Sequence, residues 1–440
     1  MALQIGRSGS VTFKALTIGI IVLSLMIPLA MLRGLVSERA GLREHAYARV
    51  AEGWGGSITL GGPIVIVPTE RTFQHDEKSH TVRSELFLLP AQMRASLDVK
   101  LEAQPRRVGI YEVPVYLSDA RLSGEFDFAG LASLLNEPDT TYHWQQARVL
   151  LPLSQVRSLR EVSRARFANV ALKFTPATQA LLAGIEARVD LTAYAKGGTA
   201  KFEFDTVVAG SRDIFVLPLG SETQVQVQSN WPHPSFQGAF LPSGRNITPA
   251  GFNAKWQVLE LNRAYAQAWK GDEVSAVQIN SSALGVGLFQ TVDIYQRGER
   301  AIKYALLFIA LTFLTFFAWE QLTGTRLHPL QYLLVGLALS TFYLLLIALS
   351  EHIAFAAAYS AAATSLVLLI GTYIAGALRS RRRGVLVAGA MAFVYGILYA
   401  LVLSEDYALL LGAITLFVTL AAVMLVTRKL DWYALGSTPE

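Results

Sequence analysis

Residues 15–32 read ALTIGIIVLSLMIPLAML, a run with no charge between Lys14 and Arg33. A helix needs about 20 mostly apolar residues to cross about 30 Å of hydrocarbon, so this run is long enough to span a bilayer. It also exceeds the roughly 7–15 apolar residues of a cleaved signal peptide, which predicts a retained anchor. Pro28 removes one helical donor and predicts a kink near the outer end of that helix.

The rest of the chain agrees with a membrane setting. Of its 440 residues 52% are hydrophobic and 16% charged, and its mean hydropathy is +0.38. A soluble domain carries about 25% charged residues, so part of this chain is expected in lipid. With no cysteine, disulfides, thiolate nucleophiles and cysteine-held zinc or iron–sulfur sites are excluded.

After the anchor comes SERAGLREHAYARVAEGWGG (37–56), in which Leu42, Ala46 and Val50 recur at helical spacing among charges. It reads as an amphipathic extension of the first helix, ending at the glycines. GGPIVIVPTE (61–70) then places a β-branched apolar run between Pro63 and Pro68, a buried-strand pattern. Period-two alternation returns in RLSGEFDF (121–128), KFEFDT (201–206) and TQVQVQS (223–229). Residues 36–300 are therefore expected to form one mainly-β domain, long enough for two lobes. Near its end lies SNWPHPSFQGAFLP (229–242), where Pro232, Pro234 and Pro242 argue against any regular element.

From Tyr304 onward five apolar spans follow: Tyr304–Trp319, Leu330–Leu349, Ile353–Leu378, Val385–Leu403 and Ala408–Thr427. With the anchor this makes six, which puts both termini on one side. Arg7, Lys14, Arg326, the cluster RSRRRG (379–384) and Arg428–Lys429 all fall on that side, whereas the loops LSEH (349–352) and LSED (403–406) carry no Lys or Arg. The positive-inside rule makes the basic side cytoplasmic and the β domain periplasmic. The expected fold is thus an α-helical polytopic membrane protein with six transmembrane helices. A large mainly-β periplasmic domain is inserted between helices 1 and 2. The boundaries are 1–35 for the N-terminus and first helix, 36–300 for the β domain, 301–430 for a five-helix bundle and 431–440 for a short tail.

VSERAGLREH with GGPIVIVP, then SNWPHPSFQGAFLP, then RLHPLQYLLVGLALSTFYLLLIALSEH (326–352), DYALLLGA (406–413) and RKLDWYAL (428–435) occur in that order. In these stretches the sequence resembles the CreD family of bacterial inner-membrane, cell-envelope-integrity proteins. The resemblance implies a Gram-negative inner-membrane protein tied to a β-lactam-related two-component stress response. It supplies no catalytic residues. Residues 70–220 match no motif, so the β domain there rests on periodicity alone.

Four groups of residues are weighed as sites. Glu351 and His352, with Glu405 and Asp406, sit at the tips of two outer hairpins. If the hairpins adjoin, three carboxylates and an imidazole would bind a cation or relay a proton. Solvated charges in short turns are the commoner account. Trp231, His233, Phe236 and Phe240 form either a packed corner or a partner-binding loop, with packing the expected role. Arg379, Arg381, Arg382 and Arg383 can hold anionic lipid headgroups, although topology alone explains them. Glu320 with Arg326 and His328 is expected to form an ion pair that holds the inner loop. The small residues of IAFAAAYSAAATSLVLLIGTYIAGAL (353–378) mark that span as an internal helix.

No HExxH, GxxxxGK[ST] or GxSxG pattern occurs. With the envelope role that the resemblance implies, the expected protein is non-enzymatic, without a cofactor, and acts through its β domain. Its expected partners are the lipid bilayer and other envelope proteins, not nucleic acid. The alternative is an ion-linked transporter or membrane enzyme that uses the acidic tips.

Overall fold

The computed structural model describes residues 9–75, 78–131, 139–178, 180–288, 294–323, 327–377, 380–404 and 407–427. The chain divides into two compact units, one of residues 1–42 with 292–440 and one of residues 43–291.

The first unit is helical. It holds α1 (Gly9–Ser24), the first part of α2 (Met26–Gly53), α3 (Ile294–Thr323), α4 (Pro329–Ser350), α5 (Phe355–Ala377), α6 (Arg381–Leu403) and α7 (Ala408–Thr427). Among the described residues, five helical stretches are long and apolar enough to cross a membrane: residues 13–53, 294–317, 329–350, 355–377 and 381–403. The break between α1 and α2 falls at Leu25, one turn before Pro28, where the missing proline donor leaves the Ser24 carbonyl without its helical partner. The helix of the second span starts at Ile294, ten residues before the apolar run. Arg297, Arg300 and Lys303 interrupt the hydropathy but not the helix.

In α4 half of the span is buried, the largest share of the five, and the helix packs on α1, α3 and α5. Glycine makes that approach possible. A Cβ on Gly336 would lie 2.3 Å from Leu25 Cδ1 and 2.8 Å from Phe313 Cζ. The small residues of α5 do meet neighbours: a Cβ on Gly384 of α6 would lie 2.5 Å from Ala375 Cβ. Half of the α4 span is buried against 39% of the α5 span, so α4 is the more enclosed of the two helices. Rings fill the junction of α4, α5 and α6. Phe342 meets Tyr359 and Tyr395 edge-on at 5.5 and 4.7 Å, and the Tyr359 hydroxyl donates to the Tyr395 carbonyl at 2.6 Å.

The second unit is mainly β. Its eight-stranded sheet runs, edge to edge, Val170–Ala171, Leu159–Phe167, Thr199–Gly210, Tyr116–Asp127, Gln92–Leu101, Glu222–Ser229, Gly251–Leu259 and Gly244–Thr248. All neighbours are antiparallel except Gln92–Leu101 with Glu222–Ser229. The three alternating stretches of the sequence are central strands of this one sheet, and Glu222–Ser229 buries every second residue.

A seven-stranded sheet contains Ile64–His75, in which Ile64 to Val67 are fully buried. Pro68 does not end this strand. It lies where one flanking partner, paired to residues 64–66, gives way to another paired to residues 69–71, so no ladder donor is needed there. A four-stranded sheet and a two-stranded one, Arg106–Val108 with Tyr111–Val113, complete the set. Phe126, Phe202 and Phe204 of the first sheet share one continuous core with Val65, Phe87 and Trp269 of the second, so the two large sheets form one body rather than two lobes, beside a small separate cluster of Ala46, Val50, Val113 and Val115.

Part of SNWPHPSFQGAFLP is regular. Ser235–Gly238 pairs antiparallel with Leu284–Gly287 as the edge strand of the four-stranded sheet. The four residues fit in the proline-free gap between Pro234 and Pro242, and an edge needs donors on one side only. The part of α2 from Arg43 onward also belongs to this unit. Ala46 and Val50 pack on Val113 and Val115, and Arg106 and Arg160 stack on the Trp54 ring at 4.2 and 4.6 Å.

Candidate functional site

Two polar clamps organise the helical unit. In the first, buried Glu320 of α3 accepts from the Lys14 ammonium of α1, which also donates to the Leu327 carbonyl at 2.7 Å. The Tyr332 hydroxyl of α4 donates to Glu320 Oε2 at 3.1 Å, and the Leu327 amide donates to Oε1 at 3.2 Å. The partner of Glu320 is therefore Lys14, 306 residues away. Arg326 lies outside the described residues. His328 does not pair with Glu320 but caps α4: its Nδ1 accepts from the Leu330 amide at 3.2 Å, while Gln331 Oε1 accepts from the His328 amide at 2.9 Å. With Pro329 at the first helical position, HPLQ is a capping box.

The second clamp uses Glu351, directly after α4. Its Oε1 accepts from the Tyr295 hydroxyl of α3 at 3.0 Å and lies 3.8 Å from Arg39 Nε of α2. Lys14 and Arg39 are 25 residues apart, as are Tyr295 and Glu320 on the antiparallel α3. That spacing is about 37 Å of helix, enough to set one clamp beyond each face of a hydrocarbon layer about 30 Å thick. His352 is exposed beside Glu351. Glu405 and Asp406 lie outside the described residues. Among the described residues no three His, Cys, Asp or Glu side chains gather as a metal site would need.

In the β unit the Trp231 indole donates to the His233 carbonyl at 2.8 Å, and its ring stands edge-on to the imidazole at 6.1 Å. Phe236 packs against Phe252 and Trp256 at 5.8 Å each. The Trp256 indole donates to the Phe240 carbonyl at 3.1 Å, and Asn230 accepts from the Leu101 amide at 3.0 Å. Of this stretch the His233 side chain is exposed, while the three large rings are partly buried against the core. The basic cluster is not a loop: Arg381, Arg382 and Arg383 form the first turn of α6, and Arg379 lies outside the described residues.

Residues 10–433 match the sequence pattern of the family described as Inner membrane protein CreD. The chain is also 34% identical over 416 residues to the Inner membrane protein CreD of Escherichia coli (strain K12), covering 94% of this chain and 92% of that relative. The chain belongs to the CreD family.

CreD membership together with several helices of spanning length makes this a multi-pass inner-membrane protein. Solved structures add little. The M1 zinc metallopeptidase of Deinococcus radiodurans, in a mutant form, gives a TM-score of 0.22 at 11% identity, over 46% of this chain and 42% of that one. Another structure of that peptidase gives 0.19 at 9% identity, over 39% and 38%. Likeness at that level carries no argument.

The stretches that carried the CreD resemblance have structural work in this chain. HPLQ holds the cap of α4, and WPHPSFQG turns into an edge strand. Lys14, Arg39 and Tyr295 had no signal of their own. A charge or phenol at a helix end looks topogenic or interfacial, and its partner is hundreds of residues away.

Proposed function

We propose that this protein supports the integrity of the cell envelope under stress, β-lactam stress included, and does so without catalysis, through its β unit. On this reading α7 is a sixth span, both termini and the basic turn of α6 are cytoplasmic, and residues 36–300 are periplasmic, facing other envelope proteins. Arg381, Arg382 and Arg383 favour that orientation. Cations at a helix N-terminus work against the helix dipole, so this placement is better explained by the cytoplasmic surface and its anionic lipids than by helix stability.

The observation that carries the non-enzymatic reading is the pair of clamps. A transporter or membrane enzyme needs ionisable groups free to change partners. Here Glu320 and Glu351, the described carboxylates of the helical unit that are not exposed, are each held by a cation and a tyrosine hydroxyl.

Complementation tests this. In a strain lacking the protein, a copy carrying Glu351→Gln, His352→Ala, Glu405→Ala and Asp406→Ala is expected to restore survival and limit leakage under envelope stress as well as the unaltered chain. Glutamine keeps an acceptor for Tyr295, and membrane abundance is measured alongside. Failure at normal abundance would replace this reading with ion-linked transport or catalysis.

A further inference from the structure

The outer face of the eight-stranded sheet carries a groove of about 600 Å³. It runs across four neighbouring strands, Tyr116–Asp127, Gln92–Leu101, Glu222–Ser229 and Gly251–Leu259. Three cations line it: Arg94, Arg121 and Lys255. No carboxylate does. The registers Lys255↔Gln226, Gln226↔Ser96 and Ser96↔Arg121 put Lys255 and Arg121 at opposite ends of one cross-strand row, about 14 Å apart at the usual strand spacing.

Four acids on the same face are paired with other cations, while Glu222 at the groove's end accepts from the lining amides of Gln224 at 3.0 Å and Gln257 at 3.4 Å, and Glu125 stands one row beyond Arg94. Arg164 holds Glu203 at 3.1 Å and Asp205 at 3.7 Å. Lys100 lies 3.0 Å from Asp98 and 3.4 Å from Asp119, and hydrogen bonds to them, Asp98 first, raise its ammonium above the ordinary lysine value. Among the described residues Arg94, Arg121 and Lys255 enter no ion pair. Three exposed guanidinium and ammonium groups are thus left facing a groove whose lining holds no carboxylate, the nearby Glu222 being bound to the amides of Gln224 and Gln257.

Between the cations the groove offers amides and hydroxyls: Gln224, Gln226, Gln257, Ser96 and Ser123. The apolar lining residues Ala95, Val225 and Trp256 are the buried alternates of the strands and point to the core. A protein partner is usually anchored by apolar or aromatic side chains in pockets, and single-stranded nucleic acid by stacking on aromatic rings. This surface has neither. It suits a polymer rich in hydroxyls and carrying acid groups.

We propose that the groove binds an acidic glycan, whose carboxylates meet Arg94, Arg121 and Lys255 and whose hydroxyls meet the glutamine and serine rows. This names a partner class for the β unit and rests on the function proposed above; it is tested on purified protein, apart from complementation.

The probe is a fluorescent oligogalacturonate, added to the full chain in detergent. Saturable binding is expected to weaken about tenfold or more in the triple variant R94Q/R121Q/K255Q and to fall as salt rises from about 0.05 to about 0.3 M. An equal loss of charge elsewhere on the unit, K173Q/R188Q/K196Q, is expected to leave it unchanged. Absence of binding, equal loss in both triple variants, or equal affinity for a neutral glycan or for polyglutamate would overturn the proposal.

Discussion

Glu320→Ala is expected to destabilise the helical unit by about 3–5 kcal/mol, because it leaves the Lys14 ammonium without a counter-charge among three packed helices. The same change strips an acceptor from Tyr332 and from the Leu327 amide. Total stabilities are only about 5–15 kcal/mol, so a loss of this size should be visible as reduced membrane abundance and as a lower unfolding midpoint in detergent. The penalty belongs to the stranded charge, not to the absence of a salt bridge as such. Lys14→Met combined with Glu320→Leu should therefore recover most of the loss. If the double variant is as unstable as Glu320→Ala, the clamp contributes through its geometry and not through charge compensation.

Trp269→Ala should cost the β unit a similar amount, about 3–5 kcal/mol. Trp269 is 1% exposed and stacks on Phe87 with ring centroids 5.3 Å apart and planes 9° from parallel. Removing the indole opens a void where a short edge strand, Ala268–Lys270, closes the seven-stranded sheet over the shared core. The indole N–H has no partner among the described residues, so Trp269→Phe gives up little hydrogen bonding and should cost under about 1.5 kcal/mol. Chemical denaturation followed by the change in tryptophan fluorescence separates the two variants.

The parts of the fold that could be read from the sequence are those with a strong local period. TQVQVQS and KFEFDT alternate cleanly because each strand has one face in the core and one in solvent, and both are central strands of the eight-stranded sheet. The apolar spans are legible for the same kind of reason. Limits appear where tertiary context overrides local pattern. Pro68 looks like a strand end and is not one, since the change of partner beside it removes the need for its donor. The start of α3 falls in the stretch expected to end the β domain, yet the helix begins at Ile294 and continues through Arg297 and Arg300. Ser235–Gly238 is hidden among prolines because four residues are too few to show a period.

The clamps are the least legible feature. Local spacing pairs Glu320 with Arg326 and His328, but Lys14 meets it across the bundle, while His328 is taken up by the α4 cap. Glu351 stands out in the sequence only as part of an acidic tip. Its partners Arg39 and Tyr295 come from two other helices, and no spacing rule within the sequence links them. The cationic groove is similar. Arg94, Arg121 and Lys255 lie on three strands far apart in sequence and become neighbours only through strand register.

The proposed envelope role requires the β unit to face the periplasm. Because the chain has no cysteine, single cysteines can be introduced without interference. Leu261 is 92% exposed in the β unit, and Arg382 is exposed in the first turn of α6. In cells with a permeabilised outer membrane and an intact inner one, a membrane-impermeant maleimide should label Leu261→Cys at once. It should reach Arg382→Cys only after the inner membrane is ruptured. The opposite pattern would place the β unit in the cytoplasm and contradict the envelope role proposed for it.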